Sequence, residues 1–138
     1  MRIAHLSDTH IGFAAYQAVD KESGINQREA DNNNAFRQAV DKIRQLKPDV
    51  VLHTGDLFDG VRPNNRNIAF AIEQLLCLTH LKIPVVIICG NHSMPRLRET
   101  GNIFQLLELF PNLYPIYKNQ YESLQFGDLT IQAIPQCL

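Results

Sequence analysis

Three short apolar runs limit what this chain can fold into. Ile3-Ala4-His5-Leu6-Ser7, Val50-Val51-Leu52-His53 and Val85-Val86-Ile87-Ile88-Cys89 are rich in β-branched residues, and each breaks off into turn or polar residues. Runs of four to eight such residues read as strands, the middle one buried on both faces. Helical patterns lie between them. Phe36, Ala39, Val40, Ile43 and Leu46 recur at helical spacing after Asp31 and the Asn32-Asn33-Asn34 run, which are the cap candidates, and Pro48 stops that helix. Ile68, Ile72, Leu75 and Leu76 mark a second amphipathic helix behind the turn signal Arg62-Pro63-Asn64-Asn65. Ile103, Leu106, Leu107 and Phe110 mark a third, ended by Pro111.

The order βαβαβα predicts parallel strands joined by right-handed crossovers. The tail has another character: Leu124 and Phe126 alternate with polar residues, Gly127-Asp128 makes a turn, and Ile131 and Ala133 alternate again, which predicts a β-hairpin. The expected fold class is α/β, a layered sheet with a parallel βαβαβα start and a C-terminal β-hairpin. The polar stretch over residues 11–28 is expected to be a long loop, a kind of segment that often carries function.

A length of 138 residues is enough for one domain with a buried core. The formal net charge of −1 excludes a general attraction to polyanions, so any such contact must come from local basic patches. Cys77, Cys89 and Cys137 lie far apart with no CxxC pair, which argues against a disulfide framework or a thiolate zinc site. No apolar run is long enough to span a bilayer, and Met1-Arg2-Ile3 enters a strand directly, so a cytoplasmic protein without membrane attachment is expected.

The strand ends carry the chemistry. In open α/β sheets, ligands collect at the carboxyl edge. There the first run leads into Asp8 and His10, the second into Gly55 and Asp56, and the third into Gly90, Asn91 and His92. Asp8 and His10 are two apart, so in extended backbone they point the same way and can grip one ion. Asp56 can join them or bridge two ions. Asn91 offers a hard amide oxygen, and His92 is either a ligand or a proton donor. Oxygen and imidazole donors without thiolate favour manganese, iron or zinc, with magnesium also open. Two metals about 3.5–4 Å apart can hold a hydroxide between them for attack on a phosphate ester.

Each of these residues also has a plain structural reading. Asp and Asn favour turns, and Asp59 is expected to be a turn or cap residue. His5 and His53 are expected in the core, His80 at a helix end, and Cys89 as a small core residue. Tyr114, Tyr117 and Tyr121 are expected to pack against the hairpin. Arg62, Arg66, Arg96 and Arg98 are candidates for contact with a phosphate backbone, or are simply solvated charges.

Ser7-Asp8-Thr9-His10, Gly55-Asp56-Leu57-Phe58-Asp59 and Gly90-Asn91-His92 resemble the first three signatures of the calcineurin-like metallophosphoesterases. The wording Gly-Asp-Leu-Phe-Asp, the Arg-Pro shortly after it and the opening Ile-Ala-His-Leu-Ser-Asp narrow the likeness to SbcD-type nuclease subunits of double-strand-break repair. The resemblance implies that Asp8 and His10 bind a first metal, Asp56 bridges and Asn91 binds a second. It implies His92 as acid or electrostatic stabiliser near the leaving oxygen, two Mn2+ ions, a DNA phosphodiester substrate, an SbcC-type ATPase partner and a homodimer. Attack by a metal-bridging hydroxide, in exonuclease or endonuclease mode, is the implied reaction. The alternatives are a metallophosphoesterase for small substrates and a weakened scaffold or docking subunit.

Two departures follow. Ser93 stands where the family continues with aspartate, and a hydroxyl cannot stabilise an imidazolium as a carboxylate does. The family completes its site with a lone later histidine and a His-x-His pair, whereas no histidine follows His92 here. Residues 1–138 are therefore expected to be the N-terminal part of a truncated nuclease domain, half of an α/β/β/α sandwich. Weak metal binding and little turnover are expected of this chain alone.

Overall fold

The computed structural model describes residues 1–90 and 102–135. Strands β1 (Ile3–Leu6), β2 (Val50–His53), β3 (Val85–Ile88) and β4 (Leu113–Ile116) form one parallel sheet in the order β1-β2-β3-β4. The connections carry helices α1 (Gln27–Leu46) and α2 (Asn65–Thr79) and a single helical turn, α3 (Phe104–Leu107). Strands β5 (Glu122–Phe126) and β6 (Leu129–Ala133) form a separate antiparallel hairpin. The α/β class, the parallel start and the terminal hairpin are all as expected.

Three layers result. Phe36, Val40 and Ile43 of α1 and Phe70, Leu75 and Leu78 of α2 pack on one face of the sheet, against Val51, Val85 and Ile87. On the other face Val50, Val86 and Ile116 meet Leu124, Phe126, Ile131 and Ala133 of the hairpin. Tyr114 stands edge-on to Phe126 across that boundary, with ring centroids 5.2 Å apart. Coverage of both faces is the reason the central strands read as unbroken apolar runs. Gly127, at φ 58, takes the first position of the two-residue hairpin loop, where tight turns matched to strand twist call for positive φ.

The structure departs from the sequence-based expectations in several places. Tyr117 meets Phe104 instead of the hairpin, and Tyr121 is exposed rather than packed against it. Helix α1 starts at Gln27, ahead of the Asp31 to Asn34 caps. The cap is Asn26, whose side chain accepts from the backbone N–H of Arg28 and Glu29 while its Nδ2 donates to the carbonyls of Ala15 and Tyr16. Apolar periodicity misses the first two turns of α1 because their residues are mostly polar. Strand β4 goes unread because Pro115 interrupts it; the proline is tolerated because β4 pairs with β3 alone among the described residues. The third helix shrinks to one turn, held by buried Phe104 and Leu107. Finally, His5 is exposed on the edge strand β1, with Nε2 at 2.9 Å from Thr54 Oγ1, whereas His53 on the central β2 is buried as expected.

Helix ends follow the expected chemistry. Lys47 closes α1 in left-handed conformation, donating its N–H to the Ile43 carbonyl just before Pro48. Asn64 caps α2 by accepting from the Asn67 N–H, and His80 ends it.

Candidate metal centre

Beyond the ends of β1 and β2 the two segments stay together. The N–H of Thr54 donates to the Leu6 carbonyl (3.0 Å), Asp8 to Gly55 (3.0 Å), His10 to Asp56 (2.9 Å), Ile11 to Leu57 (2.8 Å) and Asp59 back to Ile11 (3.0 Å). The parallel ladder therefore continues through both loops. Ile11, Leu57 and Phe58 are fully buried and fasten the paired loops to the core.

This pairing brings three polar side chains to one point. Asp8, His10 and Asp56 each offer one ligand atom, and these atoms all lie within 4.8 Å of one another. Nε2 of His10 stands 3.8 Å from Asp8 Oδ1 and 3.9 Å from Asp56 Oδ2. The backbone route differs from the extended one expected, because Asp8 (φ 53), His10 (φ 43) and Asp56 (φ 51) are all left-handed. Asp, Asn and His are the non-glycine residues most often found in this region, and such conformations cluster at functional sites. The Ser7 hydroxyl donates to Asp8 Oδ2. The Asp56 side chain is only 13% exposed, against 66% for Asp8, so it forms the floor of the group.

Three atoms bound to one divalent ion at about 2.1 Å lie roughly 3–3.5 Å apart. The two His10 spacings, 3.8 and 3.9 Å, close to that with shifts of roughly half an ångström, and two carboxylates with one imidazole suit manganese, iron, zinc or magnesium. The residues fit a divalent cation.

The sequence places neither of two supports in the site: Asn32 reads as a cap candidate and Asp59 as a turn residue. Asn32, in the polar part of α1, donates from Nδ2 to the carbonyls of Thr9 (2.8 Å) and His10 (3.1 Å), pinning the first loop. Asp59 places Oδ1 3.1 Å from His10 Nδ1, on the side of the ring away from the ligand group. Asp8, His10, Phe13, Asn32 and Asp59 together line a cleft of about 340 Å³. Apolar periodicity can find neither residue, but the Asn26-x-x-Glu29 spacing, an N-cap with Glu at the third helical position, marks where α1 begins.

Beneath the group lies His53. Its Nδ1 accepts from the Gly55 N–H (3.4 Å), so Nε2 carries the proton and donates to Thr9 Oγ1 (3.0 Å), which in turn donates to the Leu57 carbonyl (3.1 Å). Burial pushes the His53 pKa down to about 4, against the smaller raising influence of Asp8 and Asp56. The ring is neutral and ties the two loops together from below.

Of the other sequence candidates, Arg66 lies on α2 and donates to the buried Glu29 carboxylate of α1 at 2.8 Å. Arg62 lines a surface groove with Val61, Pro63 and Asn102. Cys89 is buried, with its thiol pKa raised by burial. Asn91, His92, Ser93, Arg96 and Arg98 lie outside the described residues. Among the described residues no helix is long and apolar enough to cross a membrane.

Two carboxylates and an imidazole gathered at the carboxyl edge of a layered α/β sheet make a candidate divalent-cation site. The chain belongs to the calcineurin-like phosphoesterase family, whose pattern matches residues 1–134. It is similar to proteins named DNA double-strand break repair protein Mre11. That of Methanococcus maripaludis is 36% identical over 108 residues, 78% of this chain and 27% of the relative. That of Sulfolobus acidocaldarius is 36% identical over 97% of this chain and 33% of the relative, and that of Thermoplasma acidophilum 38% identical over 94% and 33%. The chain thus spans about a third or less of the length of these relatives. A crystal structure of a dimetal phosphatase from Danio rerio covers 65% of this chain and 29% of its own, at 18% identity and a TM-score of 0.41.

Proposed function

We propose that residues 1–138 are the N-terminal part of the catalytic domain of an SbcD-type, metal-dependent nuclease that hydrolyses phosphodiesters at DNA ends. The convergence of Asp8, His10 and Asp56 from two loops joined backbone to backbone carries this reading. The similarity to proteins named for double-strand break repair supports DNA as the substrate.

In this reading Asp8 and His10 would hold a first divalent ion, Asn91 would hold a second, and Asp56 would serve both, with manganese the preferred metal. Bound divalent ions supply Lewis acidity toward a phosphoryl oxygen and lower the pKa of the attacking water. His92 holds a proton near the leaving oxygen or stabilises its charge. Arg62, Arg66, Arg96 and Arg98 meet the phosphate backbone; of these, Arg66 also serves the Glu29 pair. The rest of the α/β/β/α sandwich, an SbcC-type ATPase, a second copy of the chain and a cytoplasmic setting complete the assembly.

The test compares full-length protein on linear DNA and on bis-p-nitrophenyl phosphate, with and without manganese. Manganese-stimulated DNA cleavage is expected. Hydrolysis of the small ester alone would make the protein a small-substrate phosphoesterase, and cleavage of neither would leave a docking subunit.

A further inference from the structure

The histidine in the ligand group has two ring nitrogens, and each faces a different partner. Nε2 points at the gap between Asp8 and Asp56, at 3.8 and 3.9 Å, distances too long for hydrogen bonds. Nδ1 stands 3.1 Å from Asp59 Oδ1. An ionised carboxylate can only accept, so a neutral imidazole in this arrangement carries its proton on Nδ1 and presents a lone pair at Nε2. The backbone holds Asp59 in place for this contact. Its own N–H donates to the Ile11 carbonyl at 3.0 Å, and the Leu57 and Phe58 side chains just before it are fully buried.

We infer that Asp59 is a positioning residue for the metal centre. It fixes the His10 ring in the Nδ1–H tautomer and aims Nε2 at the cation. The inference rests on the metal-binding reading of Asp8, His10 and Asp56. It assigns a second role to the Gly-Asp-Leu-Phe-Asp stretch: Asp56 supplies a ligand atom, and Asp59, three residues on, orients a ligand from the other loop. Outer carboxylates of this kind typically change metal affinity by about 10–100-fold when removed.

The experiment uses full-length protein with Asp59→Ala and Asp59→Asn, measuring Mn2+ affinity by titration calorimetry and by electron paramagnetic resonance of the free ion. Asp59→Ala is expected to lose roughly tenfold or more in affinity. Asp59→Asn, which can still accept from Nδ1–H but lacks the charge, should fall between Ala and wild type. Thermal unfolding of the metal-free variants should stay close to wild type, because the Asp59 side chain is 39% exposed. If Asp59→Ala fails to fold, Asp59→Asn and the tautomer measurement carry the test.

A second readout is independent of metal. Nitrogen chemical shifts of His10, assigned by their loss in His10→Gln, should report a protonated Nδ1 in the metal-free wild type and a mixture of tautomers in Asp59→Ala. Equal Mn2+ affinity in wild type and Asp59→Ala, or a protonated Nε2 in the wild type, overturns the inference while leaving the metal site standing. A wild type that binds no Mn2+ at millimolar concentration overturns the metal-binding reading, and the positioning role with it.

Discussion

A Cβ placed on Gly90 would stand 2.1 Å from Oδ1 of Asp56 and 2.6 Å from its backbone nitrogen. The end of β3 thus backs directly onto the carboxylate at the floor of the ligand group, and only a residue without a side chain leaves Asp56 where it is. Gly90→Ala is expected to push Asp56 away from His10. The overlap should cost about 1–3 kcal/mol of stability, in the range of other overpacked sites. Manganese affinity should fall at least tenfold, measured by calorimetry beside a urea titration of the metal-free protein.

Removing the Asn32 side chain tests the other support. Asn32→Ala strips the carbonyls of Thr9 and His10 of this donor in a partly buried loop. The expected loss is about 1–2 kcal/mol for the two hydrogen bonds, read from the denaturation midpoint. Asn32→Asp should do no better, because a carboxylate has no proton to donate to a carbonyl. Hydrogen exchange at the His10 amide should quicken in both.

His53 makes stability depend on pH. In the unfolded chain it protonates near 6.5, whereas in the folded chain the group stays neutral down to about 4. Between those values the unfolded state binds the extra proton, so stability is full above pH 6.5 and is lost as pH falls toward 4. The contribution is about 3 kcal/mol over the window. Urea titrations of metal-free wild type at several pH values should show this slope, and His53→Gln should lack it.

Arg66 gives a prediction that separates structure from substrate contact. Glu29 is buried and its carboxylate faces the Arg66 guanidinium, itself more than half exposed. Arg66→Ala leaves that carboxylate without this partner and should destabilise the fold by about 1–2 kcal/mol, a buried-pair loss reduced by solvent screening. A DNA affinity that drops without any fall in stability would show that the Glu29 pair is not what Arg66 serves.

Much of this architecture is legible in the chain itself. The apolar runs mark β2 and β3, the alternation around Gly127 marks the hairpin, and the polar ends of the runs mark Asp8, His10 and Asp56. What stays hidden is what local pattern cannot report. In the first two turns of α1 the inward positions are held by Glu29, which pairs with Arg66, and by Asn32, which holds the first loop, so they carry no apolar periodic signal. Pro115 masks an edge strand that local rules demote. Asp59 reads as a turn residue because its partner, His10, is 49 positions away, and only the pairing of the two loops brings them together.

The left-handed backbone at Asp8, His10 and Asp56 also bears on how this domain can drift. At those torsions most side chains crowd the neighbouring carbonyl, and glycine, asparagine, aspartate and histidine are the residues that fit most readily. Three of those four can coordinate a cation. The chain path therefore screens replacements by shape before any selection for chemistry acts, so a mutation that escapes the ligand set tends to be penalised in folding as well. Tolerance scans at these three positions would then trace a steric filter that happens to coincide with the donor set a divalent ion requires.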